Sequence, residues 1–169
     1  MQTSSGVIGV CLKPTPQLIN HHNLLIIDHL QDPGNLGTLM RSAMAFDFLT
    51  IVASVDSVSF YNPKVLRATQ GLIFELNLMT AALEQFLPQL KTQHYQIIGS
   101  FLHPQQPLPS VTDCHSPLKA LLIGNEGQGL NLRWQKLIDY NFLIPMRPGV
   151  ESLNVAVAGS IMMSKLYKP

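Results

Sequence analysis

LLIIDHLQDPGNLGTLMRSAMA, residues 24–45, is the stretch whose reading decides the fold. It opens with a short apolar run up to Asp28, which has the length and composition of a buried strand. Gln31, Asp32, Pro33 and Gly34 then make a turn, and Asn35 is placed to cap a helix beginning at Leu36. From there Leu36, Leu39, Met40, Ala43 and Met44 recur at the i, i+3, i+4, i+7, i+8 spacing of a helix with one buried stripe. A strand that ends in a polar loop and returns as an amphipathic helix is half of a parallel crossover unit.

The same alternation continues along the chain. Strand-like runs are LTIVA (49–53), FELNLM (74–79), YQIIGS (95–100), ALLIG (120–124) and NFLIP (141–145), separated by helix-like stretches. Short, continuously apolar strands between helices predict an α/β fold: a mostly parallel sheet of about six strands with helices on both faces. Residues 1–169 read as a single domain, with residues 1–20 as an N-terminal segment ahead of the first strand. Residues 101–117 carry four prolines and read as a long surface excursion, either a substrate loop or a tolerated insertion.

Composition narrows the function classes. A hydrophobic share of 46% with 12% charged residues excludes a disordered chain. The apolar runs are too short for a membrane span, and MQTSSGVIGV has no secretory signal pattern, so a cytoplasmic protein without membrane attachment is expected. Cys11 and Cys114 have no CxxC partner, and the six histidines, including His21 and His22, lack ligand spacing, so neither a disulfide nor a metal site is expected. A net charge of +1 is low for a nucleic-acid binder, so any grip on RNA needs a local patch or another segment.

In parallel sheets, ligands gather at the carboxyl ends of strands. Three loops there concentrate Gly, Asn, Pro and charge: DHLQDPGNLGTLMR, GNEGQGL and PMRPGVESLN. In the first, Arg41 projects roughly 130° from the buried stripe, where it is either a solvated charge or a fork for phosphate. Gly37, one turn earlier, permits close approach of a backbone or ligand. The second matches neither GxxxxGK[ST], since Leu130 stands where Lys is required, nor GxGxxG, which fails at Leu132; no phosphate cradle is implied. Its Gly124, Gly127 and Gly129 suggest a tight backbone against which a flat ligand can lie, with a helix restarting near Leu130 and Glu126 beside its N-terminus. In the third, Glu151 and Ser152 suit a helix start, and the small residues Val155, Ala156, Ala158, Gly159 and Ser160 let the last helix pack closely in a core or a subunit interface.

In this order, NLGTLMRSA, IGNEGQGL and IPMRPGVESLNVAVA, with KVLRATQGL between the first two, closely resemble the signature motifs of the SpoU, or TrmH-like, branch of the SPOUT RNA 2′-O-ribose methyltransferases. The likeness covers nearly all of the chain. It implies a C-terminal deep trefoil knot, which ordinary connection rules exclude, and a homodimer with active sites at the subunit interface. It implies S-adenosylmethionine as cofactor, bound by Ser100, Phe101, Leu102, Gly124, Asn125, Gly129, Ile144, Met146, Ser152 and Leu153, and no metal. It implies a catalytic set of Asn35, Arg41, Glu126, Ser152 and Asn154. Arginine is a poor base in water, because its guanidinium keeps its proton far above neutral pH; Arg41 is therefore expected to orient an RNA phosphate, and to accept the hydroxyl proton only if its local field is strongly altered, while Asn35 is expected to hold Arg41 or the loop.

The expected substrate is RNA, with ribosomal RNA ahead of tRNA. Two departures from the family pattern matter. Ala156 stands where many relatives carry serine, so a hydroxyl is dispensable there. Two-domain relatives also place a small RNA-binding domain before a segment like SSGVIGV, so the chain is expected to be either a naturally short member or one whose RNA-recognising domain has been removed. The alternative reading is a non-catalytic knotted RNA-binding or ribosome assembly factor, which the intact Asn35, Arg41, Glu126 and Asn154 disfavour. A knotted base methyltransferase is disfavoured by ESLN.

Overall fold

The computed structural model of the chain describes residues 6, 9–16 and 22–168; the expected N-terminal segment 1–20 lies partly outside the described residues, as does His21. Six strands, β1 (Leu24–Ile27), β2 (Thr50–Ser54), β3 (Asn77–Ala81), β4 (Gln96–Gly99), β5 (Lys119–Ile123) and β6 (Tyr140–Asn141), form one sheet in the order β3-β2-β1-β5-β4-β6. Every neighbouring pair is parallel. The expected α/β architecture is therefore present.

Four α-helices cover the sheet: α1 (Pro33–Ala45), α2 (Pro63–Ala68), α3 (Leu83–Thr92) and α4 (Val155–Leu166). Alternate strand residues feed two separate cores, as the two-residue period of a pleat requires. Leu25, Ile27, Ile51, Leu121 and Ile123 join Leu36, Leu39 and Met40 of α1 and Met162 and Met163 of α4 on one face. Leu24, Ile26, Ala120 and Leu122 join Leu83, Phe86, Leu87 and Leu90 of α3 and Trp134 on the other. Leu36, Leu39 and Met40 are fully buried, which stabilises α1 against the sheet by about 1.5–3 kcal/mol per side chain.

Several expected boundaries move, each for a local reason. Helix α1 begins at Pro33 rather than Leu36: the Asp32 carboxylate accepts from the Asn35 amide at 2.7 Å and caps it, and proline is preorganised for the first helical position. Asn35 thus lies inside the first turn. The expected strand 74–79 starts only at Asn77, because left-handed Gln70 and Gly71 turn the chain into a 3-10 helix, Leu72–Glu75. The expected strand 141–145 shrinks to Tyr140–Asn141 at the sheet edge; beyond it Phe142 still donates to the Gly99 carbonyl at 2.8 Å, and Pro145 has no N–H to offer a ladder. Instead of restarting near Leu130, the chain after β5 forms a 3-10 helix, Leu132–Leu137, capped by Asn131. Helix α4 starts at Val155 under an Asn154 cap, not at Glu151 or Ser152.

Two glycines fix how closely elements meet. A methyl on Gly37 would fall 2.3 Å from the Ala68 Cβ, so the close approach this glycine permits is that of α2, not of a ligand. A methyl on Gly159 would fall 2.5 Å from Leu39 and 2.6 Å from Ile123, which is why α4 settles tightly against α1 and β5. Among the described residues no helix is long and apolar enough to cross a membrane, and Cys11 and Cys114 are both free thiols.

Candidate cofactor and catalytic site

The site forms where β5 ends. A Cβ on Gly124 would lie 2.1 Å from the Gly129 carbonyl oxygen, so only glycine lets the loop fold back onto the strand end. Asn125 and Gly129 then exchange two backbone hydrogen bonds of 3.0 Å, with Gly129 in the left-handed region at φ 67°. The Asn125 side chain finishes the turn: its Oδ1 accepts from the amides of Gly127 at 2.7 Å and Gln128 at 3.3 Å, and its Nδ2 donates to the His29 carbonyl at 3.0 Å.

This turn aims Glu126 at the first loop. Its carboxylate accepts from the Asp32 amide at 3.0 Å, the Gln31 amide at 3.3 Å and the Asn35 Nδ2 at 3.3 Å. Glu126 thus serves the start of α1 and not, as the sequence suggested, a helix of its own. Partial burial pushes its carboxyl pKa up, but the donors from Asp32, Asn35 and Gln31 outweigh that and hold it below the ordinary value. Asn35 in turn accepts through Oδ1 from the Asn154 Nδ2 at 3.0 Å, and the Asn154 Oδ1 accepts from the amides of Ala156 and Val157 at the start of α4. One hydrogen-bonded chain, Glu126 to Asn35 to Asn154, therefore joins all three loops.

Behind it lies a cavity of about 340 Å³, within the size range of small-molecule sites. Of the residues expected to bind a cofactor, Ser100, Leu102, Gly124, Asn125, Gly129, Ile144, Met146, Ser152 and Leu153 line it, as does Glu126. Leu122, Val155, Ala158 and Met162 contribute apolar wall, and Glu151 a second carboxylate. Phe101 is not in the wall. Its side chain is buried in the α3-side core, and its backbone is clamped by the buried Asn141, whose Oδ1 accepts from the Phe101 amide at 2.8 Å while its Nδ2 donates to the Phe101 carbonyl at 3.0 Å.

The expected catalytic residues are placed unevenly. Asn35, Glu126 and Asn154 are bonded together, and Ser152 lies on the cavity wall. Arg41 is exposed on α1 and outside that wall, with no hydrogen bond or ion pair among the described residues. Sequence reasoning missed Asp32 and Asn141. An acid before a Pro-Gly pair was a legible signal for the first; nothing in sequence spacing points to the second, whose role appears only when β4 and β6 pair.

The sequence pattern of the SpoU rRNA Methylase family matches residues 22–164. The chain belongs to that family. It is 33% identical over 165 residues to the 23S rRNA (guanosine(2553)-2′-O)-methyltransferase RlmP of Bacillus subtilis, a match that takes in 98% of the chain and 66% of that relative. Two crystal structures of methyltransferases superpose well. The AdoMet-bound rRNA methyltransferase from Sinorhizobium meliloti gives a TM-score of 0.77 at 26% identity, over 90% of this chain and 56% of that one. The SpoU methyltransferase AviRb from Streptomyces viridochromogenes, in complex with AdoMet, gives 0.76 at 27% identity, over 89% and 63%. The chain thus spans less than two thirds of the length of each of these proteins.

Proposed function

We propose that this chain is an S-adenosylmethionine-dependent RNA 2′-O-ribose methyltransferase, with ribosomal RNA ahead of tRNA as its substrate. The observation that carries this reading is that the second and third loops line one cavity while the first, distant in sequence from both, is tied to them through the Asn35–Glu126–Asn154 chain.

The residues present fit the cofactor. Bare main chain at Gly127 and Gly129 and the apolar Ile144, Met146 and Leu153 offer a flat, mixed surface to an adenine and its ribose. Glu126, kept anionic at neutral pH, and Glu151 place negative charge on a wall that has to accept a cation. When bound, S-adenosylmethionine supplies a methyl group on a positively charged sulfur. The protein's own part is positioning. Asn35 and Asn154 hold the α1 and α4 starts in one geometry, and Arg41 forks onto an RNA phosphate beside the reacting ribose.

The knot and the homodimer belong to this proposal. From edge strand β6 the chain must return past the ends of β4 and β5 to bring α4 against α1, a path that suits a final helix threaded under the 100–118 loop. Val157, on the exposed side of α4, is 47% accessible, as is Val150 ahead of it, which suits a second copy covering this end. Free thiols at Cys11 and Cys114 fit a reducing cytoplasm.

The test is transfer of a labelled methyl group to RNA, followed by nucleoside mass mapping. The proposal expects a ribose-methylated nucleoside with wild-type protein. It also expects Arg41→Ala to lose transfer while cofactor affinity survives. A base-methylated product, or cofactor binding without any transfer, would overturn it, the latter in favour of a non-catalytic assembly factor.

A further inference from the structure

Helices α1 and α2 run side by side on one face of the sheet. Each lies in a connection between neighbouring parallel strands, β1 to β2 and β2 to β3, and the two pack on one another. They touch where Gly37 meets Ala68. Arg41 follows Gly37 by four residues, about 40° around α1 and about 6 Å along it. Lys64 precedes Ala68 by four, about 40° around α2 in the other direction, away from the buried Val65 that faces the core. Both therefore flank the outer groove between the helices, with Arg67 beside it.

All three cations are exposed, and none has an ion pair among the described residues. No acidic residue occurs between Asp56 and Glu75, so this face is locally basic in a chain whose net charge is only +1. The 3-10 helix after α2 packs on α1 and holds Phe74 out with 84% of its surface exposed. Unpaired cations on α2 and a bare aromatic ring on the 3-10 helix that follows it, both elements packed on α1, are what single-stranded nucleic acid requires: cations for its phosphates and a ring for its bases to stack on.

We infer that the outer α1–α2 groove, with Lys64, Arg67 and Phe74, is a track for a single-stranded RNA segment flanking the modified nucleotide. This rests on the proposed RNA methyltransferase activity. It supplies the local basic patch that the chain's overall charge does not, and it places that patch beside the helix that carries Arg41.

The test uses the full chain and a fluorescent single-stranded RNA oligonucleotide, with a duplex of equal length as comparison. Binding is measured across a salt series, and cofactor affinity and melting temperature are measured for every variant. Lys64→Ala combined with Arg67→Ala should weaken single-strand binding at least tenfold and flatten the log–log salt slope by about 1.4, the share of two phosphates. Phe74→Ala should weaken binding by about five- to a hundredfold, with Phe74→Trp restoring it, while cofactor affinity stays unchanged in all. Wild-type protein that binds and methylates RNA, with variants at parity, overturns the track alone. Equal or tighter binding of the duplex also overturns it. A wild type that neither binds nor methylates RNA overturns the activity as well, and the exposed ring and cations then answer to a protein partner.

Discussion

Asn154 donates through its side-chain nitrogen to the side-chain oxygen of Asn35 at 3.0 Å, across 119 residues of sequence. Each asparagine has a second duty, Asn35 to the Glu126 carboxylate and Asn154 to the α4 amides, so neither can rotate without breaking a contact elsewhere. Asn35→Ala and Asn154→Ala should each lower the rate of methyl transfer. Combined, they should cost less than the sum of the single losses, with a coupling of about 1 kcal/mol in a double-mutant cycle. Strict additivity of the measured rates would mean that the bond carries no function.

The pH behaviour follows from Glu126. Its folded-state carboxyl pKa is lowered: burial raises it, and the amides of Asp32 and Gln31 and the Asn35 side chain more than offset this. A group depressed on folding contributes stability above its unfolded pKa and loses it as pH falls through the folded value. The stability gap between wild type and Glu126→Gln should be full at neutral pH and close below about pH 4. Chemical denaturation at a series of pH values reads this directly, and a gap that widened in acid would refute the assignment.

Gly124 and Gly127 sit three residues apart with opposite tolerances. A methyl at Gly124 meets backbone at 2.1 Å, whereas one at Gly127 meets the Asn125 side chain at an ordinary 3.4 Å. Gly124→Ala should destabilise the fold by about 1–3 kcal/mol and abolish cofactor binding. Gly127→Ala should fold normally, so any loss of cofactor affinity there reports on the cavity itself. Calorimetric titration with melting curves separates the two.

Asn141 stands in for a strand rung by satisfying both the N–H and the C=O of Phe101. Asn141→Ala leaves two buried backbone groups unpaired, at about 1–3 kcal/mol each. It should also weaken cofactor binding, because Ser100 and Leu102 lie on either side of the clamp. Asn141→Asp retains the acceptor for the Phe101 amide, and its melting temperature should fall between those of wild type and alanine.

How far the sequence could be read depended on whether the cause was local. Strands such as 24–27 and 119–123 were legible because residues buried on both faces leave an unbroken apolar run. The stripe of α1 was legible, yet its start was misplaced, since Asp32 and Asn35 are both good caps and only the fold shows Asn35 committed to Glu126 and Asn154. The edge strand failed because pairing, not composition, decides where β6 stops. Most residues expected at the cofactor site line the cavity, whereas Phe101 does not, and Arg41, expected to be catalytic, also lies outside its wall. The motif fixes which stretch of chain reaches the site, and the twist of the backbone decides which side chains face it.

The cavity has one stiff side and one compliant side. The 125–129 turn is tied by its own two backbone bonds and by three from the Asn125 side chain, one of them to another strand's exit. Facing it, the main chain from 143 to 153 holds a single hydrogen bond among the described residues, Val150 to Arg147 at 3.2 Å. A molecule entering the cavity therefore meets one surface already shaped and gives shape to the other. That second surface runs directly into Asn154 and so into Asn35. Whatever tightens or loosens the 143–153 segment therefore acts on the Asn154–Asn35 contact as well.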